Sequence, residues 1–422
     1  MTETKKRKDG YNMAEIKTIT GGVTAAEGFM AAGAEAGIKY KNRKDMALVY
    51  SKIPAKAAGT FTTNVVKAAP VKWDMKIVDT YGEAQAVVLN SGIANACTGK
   101  EGEEVNEAMA AAIGEVLSIP TESVLTASTG VIGYQIPLDK IKEGAKKLAP
   151  ALADTVEAGT MAAEAIMTTD TCSKQWAVET VIGGKKVTIG GMSKGSGMIH
   201  PNMATMLSVV TTDCNISKEL LREAVKADVK DSFNMISVDR DTSTNDTFVV
   251  LANGLAGNEE ITEKNEDYNT FCEALAAVTK SLAKIMAQDG EGATKLFETK
   301  VVGAKNKDEA IILAKSVITS NLVKTAIFGS DANWGRILCA LGYSGVSFDP
   351  EQVELFVQGN GKSLKIFENG KAADYSEEEA TEIFSCKEVT AYVDMHQGDG
   401  EATAWGCDLS YDYVRINGDY RS

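Results

Sequence analysis

A glycine-rich segment that leads into a β-type run contains the residues with the clearest chemical potential. Residues 194–208 read KGSGMIHPNMATMLS, and Thr205 stands where an irregular loop enters a predicted strand. A hydroxyl that follows a small residue in a strained loop can attack the preceding carbonyl, form an ester by an N-to-O shift and be released by water. Such self-cleavage would separate Ala204 from Thr205. The new α-amine of Thr205, with an unperturbed pKa of about 8, could then act as a base.

The same pattern also has an ordinary structural interpretation, because threonine is common at the start of a strand. Spacing alone favours that interpretation. The chain has only two histidines, His200 and His396, so a His-rich metal site is excluded and a Ser-His-Asp or Cys-His mechanism has few candidate bases. The seven cysteines are scattered and contain no CxxC pair, which argues against a disulfide framework or a structural zinc site. No metal is expected.

Two other glycine-rich segments resemble nucleotide-binding motifs only in part. The segment 359–363 ends like a phosphate-binding loop, but Phe356 stands at the position of the leading glycine and a β run follows. The segment 195–197 begins like a dinucleotide fingerprint, but His200 replaces its third glycine. We therefore expect neither a nicotinamide nor a flavin site.

Composition restricts the class of partner. The 422 residues carry a net charge of −14, which argues against nucleic acid because phosphate contacts need clustered cations. No apolar run has the length of a membrane span, and no apolar signal core follows the N-terminus. We expect a cytoplasmic protein without a membrane partner. Residues 1–12 are predicted to be a disordered tail.

Helical and strand periods alternate along the chain. Helices are predicted at Glu103–Ile119, Ala151–Met167, Lys218–Ser232, Asn265–Ala287 and Lys307–Thr319. Strands are predicted at Met46–Ser51, Ala84–Asn90, Val124–Ala127, Met206–Thr211, Thr247–Ala252 and Val323–Phe328. Hairpin turns are predicted at 183–184, 360–361 and 398–400. The expected fold is α/β (α+β), with mixed or antiparallel sheets layered with helices.

Several motifs resemble those of one enzyme family. The segment KGSGMIHPNMATML is similar, nearly letter for letter, to the autocleavage segment of the ornithine acetyltransferases (glutamate N-acetyltransferases) of arginine biosynthesis. Further motifs that carry the resemblance are GGVTA from residue 21, AAGTFTTN from 57, DTSTNDT from 241, DANWGR from 331 and INGDYRS from 416. The resemblance covers nearly everything after residue 13. It implies an autoprocessed enzyme of the N-terminal-nucleophile type.

The resemblance also implies roles for particular residues. Thr205 would be the nucleophile, freed by cleavage after Ala204, and Thr129 with Gly130 would form the oxyanion hole. A threonine hydroxyl or a backbone N–H at a glycine can approach a developing oxyanion closely. Substrate contacts are implied at Thr168, Lys194, Thr205, Glu291, Asn417 and Ser422. The ordinary alternatives are a helix end for Thr168, a solvated Lys194, a loop for Glu291 and a turn for Asn417.

The implied reaction moves acetyl from N2-acetylornithine to glutamate through a threonine acetyl-enzyme, in two ping-pong half-reactions. Both substrates have an α-carboxylate, but one side chain ends in an ammonium and the other in a carboxylate. Lys194 is predicted to bind a carboxylate and Glu291 the δ-ammonium. No cofactor is expected, and acetyl-CoA stays open as a second donor.

The same resemblance implies two fragments, an α chain of residues 13–204 and a β chain of residues 205–422, assembled as a heterotetramer. Two other functions fit the residues. The first is an N-terminal-nucleophile amidohydrolase or aminopeptidase, in which water takes the acyl group. The second is an unprocessed small-molecule binding protein, in which Thr205 is structural.

Three residues depart from the family pattern. Ile93 stands where the family commonly has Asn, Arg240 interrupts the usual small residue before DTSTND, and Ser422 stands where Thr is common. None is in the nucleophile or the oxyanion pair, so they bear on substrate preference more than on the type of reaction.

Overall fold

The computed structural model describes residues 15–200 and 206–420. The predicted tail of residues 1–12 lies outside them, as do Ala204, Thr205 and Ser422. The described chain forms two compact units that are interleaved in sequence. The first unit contains residues 15–195, 206–232 and 242–282, and the second contains residues 196–200, 233–241 and 283–420.

The strands and helices alternate along the chain, as the periodicity predicts. The strands are β1 Lys17–Ile19, β2 Phe29–Ala34, β3 Met46–Phe61, β4 Glu83–Asn90, β5 Val124–Ser128, β6 Lys174–Ile182, β7 Lys185–Lys194, β8 Leu207–Thr212, β9 Ile236–Ser237, β10 Thr247–Ala252, β11 Leu296–Ala304, β12 Glu354–Gly359, β13 Lys362–Glu368, β14 Lys371–Ala372, β15 Glu388–Asp394 and β16 Gly400–Cys407. The helices are α1 Ala69–Thr80, α2 Gly99–Leu117, α3 Leu138–Ala151, α4 Val156–Ala165, α5 Lys218–Asp231, α6 Glu266–Gln288, α7 Lys307–Ile318, α8 Asn321–Phe328, α9 Trp334–Gly342, α10 Glu377–Phe384 and α11 Tyr411–Asp419.

The first unit is built on a mixed sheet of nine strands. Its order is β1-β6-β7-β8-β10-β3-β4-β5, and β2 pairs with β3. Among the strand pairs that the structure describes in this sheet, β8·β10 and β4·β5 are parallel and the others are antiparallel. Helices bury both faces, because Val87 and Leu89 of β4 belong to one apolar cluster while Ala86 and Val88 belong to another. A strand buried on both sides explains the continuous apolar run of β4.

The second unit is built on a mixed sheet of seven strands in the order β14-β13-β12-β15-β11-β16-β9. The pairs β11·β15 and β16·β9 are parallel, and the other neighbours are antiparallel. Two mixed sheets with helices confirm the expected α/β class.

Two predicted hairpins are present. Gly183 and Gly184 connect β6 to β7 with φ of +55° and +71°, and Asn360 and Gly361 connect β12 to β13 with φ of +49° and +76°. Positive φ at both central residues is the requirement of a type I′ turn, which Asn and Gly meet at little steric cost.

The third predicted hairpin, at residues 398–400, is wrong. Strands β15 and β16 do not pair with each other, because β11 lies between them. Strand β11 is parallel to β15 and antiparallel to β16. The chain does turn at residues 398–400, but β16 then pairs with the side of β11 opposite to β15.

The predicted strand at Val323–Phe328 is also wrong, because these residues belong to helix α8. The side chain of Ser320 caps this helix by accepting a hydrogen bond from the Val323 N–H. Val323, Ala326 and Ile327 are buried, and their spacing of three and four residues is helical. A serine cap and this spacing outweigh the β propensity of a short apolar run.

Within the described residues, no single helix has both the length and the apolar character needed to cross a membrane, although α7 and α8 together, bent by 56°, meet those two criteria.

Candidate active site

A buried cluster of charges lies at the open end of the β6·β7 hairpin in the first unit. The Lys194 ammonium donates to the Thr168 hydroxyl over 2.7 Å and is 3.6 Å from an Asp170 oxygen. The Lys174 ammonium is 2.7 Å from the other Asp170 oxygen. Lys194 is 7% exposed, so its ordinary alternative, a solvated lysine, is wrong.

Asp170 is the anion at the centre of this cluster. It also accepts backbone hydrogen bonds from the Gly195 N–H at 2.8 Å and the Thr168 N–H at 3.0 Å. Burial alone would raise the pKa of the Asp170 carboxyl, but the ammonium groups of Lys194 and Lys174 and these hydrogen bonds hold the pKa well below its usual range. Asp170 is therefore ionised and holds Lys194 and Gly195, the first two residues of the glycine-rich segment.

A cavity with a volume of about 610 Å³ adjoins the cluster. Its lining has side chains of both charges: Glu35, Asn42, Arg43, Lys44, Glu164, Met167, Thr168 and Asp170. Thr168 thus connects the Lys194 ammonium to an open space of small-molecule size.

The predicted oxyanion pair follows strand β5. The Thr129 N–H donates to the Asn90 carbonyl over 3.0 Å, which leaves the Thr129 hydroxyl and the Gly130 N–H as the donors to consider for an oxyanion. The Val131 N–H donates to the Gly92 carbonyl, and Ile93 and Val131 form an isolated β-bridge. The turn is therefore held against the segment 90–94.

Asn245 of the DTSTND motif connects the oxyanion turn to the neighbouring segment 90–94. Its side-chain amide donates to the Ala94 carbonyl at 2.6 Å and to the Ser128 carbonyl at 2.8 Å. The Thr244 hydroxyl donates to its oxygen at 2.6 Å. Because Ser128 immediately precedes Thr129, this buried amide fixes the backbone that enters the oxyanion turn.

The start of β8, directly after Thr205 in sequence, is also tied to the DTSTND motif. The Thr247 N–H donates to the Met206 carbonyl at 2.9 Å. Burial raises the pKa of the Asp246 carboxyl well above its usual value, although hydrogen bonds from the Met206 N–H and the Thr62 hydroxyl oppose the shift. Its Oδ2 atom has no hydrogen-bond partner among residues 15–200 and 206–420. A buried carboxyl group whose pKa is raised therefore adjoins Met206.

In the second unit, Glu291 lies in the loop between α6 and β11. It is 9% exposed, accepts a hydrogen bond from the Asn417 side-chain amide at 2.7 Å, and its N–H donates to the Ser196 carbonyl at 2.8 Å. Asn417 belongs to helix α11 and not to a turn. A Cβ atom on Gly197 would be 2.2 Å from the Glu291 carboxylate, so the glycine permits this approach.

Asp239, also in the second unit, anchors the segment that precedes the predicted cleavage bond. It accepts hydrogen bonds from the Met198 N–H at 2.7 Å, the Ile199 N–H at 2.9 Å and the Tyr413 hydroxyl at 3.2 Å. Burial and then the charge of Asp239 raise the pKa of Tyr413, so its hydroxyl stays protonated and donates. Arg240, one of the departures from the family pattern, has a left-handed φ of +73°.

Neither histidine is a strong candidate for a general base. Burial, followed by the positive charges of Lys315 and Arg240, lowers the pKa of His200 to about 4. A base of that strength is poorly matched to neutral pH. His396 is half exposed and lies 3.2 Å from Glu354.

The structure therefore brings the predicted residues into two groups, Lys194 with Thr168 in the first unit and Glu291 with Asn417 in the second. Sequence reasoning missed five residues that hold these groups, the predicted oxyanion turn or the segment before the predicted cleavage bond: Asp170, Lys174, Asp239, Asn245 and Tyr413. A signal was present for two of them, because Asp170 lies in the MTTDT run beside Thr168 and Asn245 lies in the DTSTND motif.

Two mixed sheets covered by helices, with buried ionisable side chains beside a cavity of small-molecule size, are typical of an α/β protein that binds a small charged ligand. The family model of the ArgJ family matches residues 30–422. The arginine biosynthesis bifunctional protein ArgJ 1 of Clostridium acetobutylicum is 51% identical and covers 97% of this chain and 100% of its own. The corresponding Symbiobacterium thermophilum protein is 53% identical and covers 96% and 100%.

Among solved structures, an ornithine acetyltransferase of Mycobacterium tuberculosis in complex with ornithine is 40% identical, covers 46% of this chain and 100% of its own, and gives a TM-score of 0.42. The chain belongs to the ArgJ family. The resemblance predicted from its motifs is confirmed. The predicted acetyltransferase of arginine biosynthesis is confirmed with it and is favoured over the hydrolase and the binding protein.

Proposed function

We propose that this chain moves acetyl from N2-acetylornithine to glutamate through an ester on Thr205, after self-cleavage between Ala204 and Thr205. In the first half-reaction the Thr205 oxygen attacks the acetyl carbonyl carbon, and the C–N bond to ornithine breaks as the ornithine nitrogen takes a proton. In the second, the glutamate amine attacks the ester and releases the threonine hydroxyl. Thr129 and Gly130 would stabilise both oxyanions.

The observation that carries this proposal is the position of Lys194. Lys194 is the last residue of β7 and pairs with Leu207 of β8, two residues after Thr205. Met206, the covalent neighbour of Thr205, is held by Thr247. The buried ammonium proposed for a substrate carboxylate thus lies on β7, and the adjacent strand β8 begins two residues after the proposed nucleophile in sequence.

The weak basicity of His200 supports the α-amine of Thr205 as the base that accepts the hydroxyl proton. An exposed N-terminus has an unperturbed pKa of about 8 and is better matched to neutral pH than an imidazole with a pKa of about 4. Self-cleavage creates this amine, so the base exists only in the processed chain.

The two groups of substrate residues suit ligands of opposite side-chain charge. Lys194 with Thr168 offers an ammonium and a hydroxyl, and Glu291 with Asn417 offers a carboxylate and an amide. We propose that Lys194 binds a carboxylate and Glu291 binds the δ-ammonium of ornithine. Ser422, as the residue implied at the C-terminus, completes the proposed set. A ligand-bound structure with the two contacts exchanged would overturn this assignment.

Intact mass spectrometry before and after addition of acetylornithine tests the proposal directly. We expect fragments that end at Ala204 and begin at Thr205, and the second fragment should gain the mass of one acetyl group. Thr205→Ala should give one uncleaved chain, whereas Thr205→Ser retains a hydroxyl for cleavage. Thr325→Ala, at an exposed position of α8, is the control and should cleave normally. Cleavage in Thr205→Ala would show that another group makes the cut.

The acceptor distinguishes a transferase from a hydrolase with the same acyl-enzyme. Acetylornithine is supplied with and without glutamate, and acetylglutamate and acetate are measured separately. Acetylglutamate should dominate when glutamate is present. Acetate as the main product would favour the amidohydrolase.

Acetyl-CoA is proposed as a second donor because the matched relatives are named bifunctional proteins. Acetylglutamate formation from acetyl-CoA and glutamate, with Thr205→Ala as the control, tests this activity. We also propose a heterotetramer of two α and two β fragments in the cytoplasm, on the family resemblance. Light scattering that gives a single αβ pair would contradict the heterotetramer.

A further inference from the structure

Lys174 is a fully buried charged residue beside the proposed substrate site. Its side chain and that of Asp170 are both 0% exposed, and they form a 2.7 Å ion pair. The register of the β6·β7 hairpin explains this placement, because Lys174 pairs with Ser193, the residue before Lys194. Both lysines therefore lie at the same end of the hairpin, with Asp170 between them.

A contribution to the stability of the fold is not a sufficient reason for a buried ion pair at this position. Taking two charges out of water costs several kcal/mol per ion, and apolar residues of similar volume often serve as well. The pair has a different electrostatic consequence. Without Lys174, the charge of Asp170 would cancel that of Lys194, which is 3.6 Å from it. With Lys174, the three groups carry one net positive charge next to Thr168 and its cavity.

We infer that Lys174 is a charge-compensating residue that determines the affinity of this site for a substrate carboxylate. It acts through Asp170 and Lys194 and need not touch the substrate. This inference deepens the proposed function and rests on it, since the ligand is the carboxylate shared by acetylornithine and glutamate. Asp246 also interacts electrostatically with Lys194, and burial raises the pKa of its carboxyl group well above the usual value.

Lys174→Met tests the inference, since methionine is unbranched and apolar. We expect the KM for acetylornithine and for glutamate to rise roughly tenfold or more, while kcat changes little. Lys186→Met is the matched control, because Lys186 lies on β7, is paired with Glu179 and is exposed. It removes the same charge from the chain and should leave both parameters unchanged.

The double variant K174M/D170N separates charge from packing. It removes both members of the buried pair, restores one net positive charge through Lys194, and D170N retains a carbonyl oxygen for one of the backbone donors. We expect its KM to return to within about threefold of the unmodified enzyme. A double variant that is no better than K174M would overturn the inference, because lost packing would then explain the effect.

A ligand without the carboxylate gives a readout that a structural defect would not reproduce. Inhibition by ornithine is compared with inhibition by ornithinamide, in which the α-carboxylate is replaced by an amide. K174M should weaken the binding of ornithine and leave that of ornithinamide unchanged, and equal losses would overturn the inference. If K174M does not fold, the double variant carries the test: it should prefer ornithine over the amide as the unmodified enzyme does.

Failure of the inference and failure of the proposed function have different signatures. Absence of acetyl transfer in the unmodified, cleaved enzyme would overturn the proposed function. Normal transfer in that enzyme, together with an unchanged KM in a folded K174M variant, would overturn only the role of Lys174.

Discussion

Gly130 lies directly against the backbone of Gly92. A Cβ atom added to Gly130 would be 2.3 Å from the Gly92 carbonyl carbon and 2.4 Å from its oxygen. Gly130 also has a φ of +128°, which residues with a side chain rarely adopt. Close approach and backbone conformation therefore both require glycine at this position.

Gly130→Ala should displace the proposed oxyanion turn. We expect a strain of about 1–3 kcal/mol and a fall in kcat of roughly 10² or more, because an oxyanion donor must be placed accurately. Gly133→Ala is the control: Gly133 has a φ of +89° but open space around it, so it reports backbone strain without the clash. Steady-state kinetics on cleaved protein measures both. Equal kcat values for the two variants would remove the special role of Gly130.

Thr129→Ala should lower kcat by roughly 10² to 10³ while substrate affinity changes little, because the proposed role of this hydroxyl is to stabilise charge that develops only in the transition state. Self-cleavage also passes through an oxyanion, so activity must be normalised to cleaved protein. An unchanged kcat in cleaved Thr129→Ala, with chemistry rate-limiting, would return this turn to a structural role.

Asp239→Asn should slow self-cleavage. One carboxylate oxygen becomes a donor that faces the Met198 or Ile199 N–H, and each such lost hydrogen bond costs about 1–3 kcal/mol. The measurement is the time course of fragment appearance after synthesis of the intact chain. Asp349→Asn is the control, because Asp349 is exposed and also accepts a backbone hydrogen bond, from Glu351 at 3.0 Å. A rate equal to that of the control would contradict the anchoring role.

Asp170 should stabilise the fold in a pH-dependent way. Its folded-state pKa lies below the unfolded value of about 3.9, so the stabilisation is present above that pH and is lost as the pH falls toward the folded-state pKa. Asp170→Asn removes the carboxylate that faces two buried ammonium groups and should cost about 3–5 kcal/mol at pH 7. Urea unfolding should show that the difference narrows on acidification. Asp154→Asn, which breaks an exposed ion pair with Lys52, should show no resolvable change.

The sequence predicted those parts of the fold that depend on local signals. The hairpins at Gly183 and Asn360 form as expected, since the turn residues themselves require φ above zero. The β15·β16 hairpin could not be excluded locally, because strand β11 comes from a distant part of the chain and inserts between them. In α8, the cap at Ser320 was a readable signal that the apolar run obscured.

The site residues could likewise be predicted where a local motif marks them, but not where they depend on contacts between distant parts of the chain. Motifs identified Lys194 and Thr168, which are in contact, and Glu291 and Asn417, which are in contact. The charge balance around Lys194 could not be predicted, because Lys174 comes next to it only through the register of a hairpin. Periodicity predicts which face of a strand is buried, but it does not show which buried charges meet.

The order of strands in the first sheet has a consequence for how a cut chain would behave. Strands β8 and β10 follow Thr205 in sequence, yet they lie between β7 and β3, which precede it. The later fragment would supply a parallel two-stranded insert, which has little stability alone, and the earlier fragment would have a gap at the centre of its sheet. Neither piece contains all the strands of the first sheet. We therefore expect the proposed scission to follow folding, and after complete denaturation the two pieces would recover the first sheet only in a bimolecular, concentration-dependent reaction.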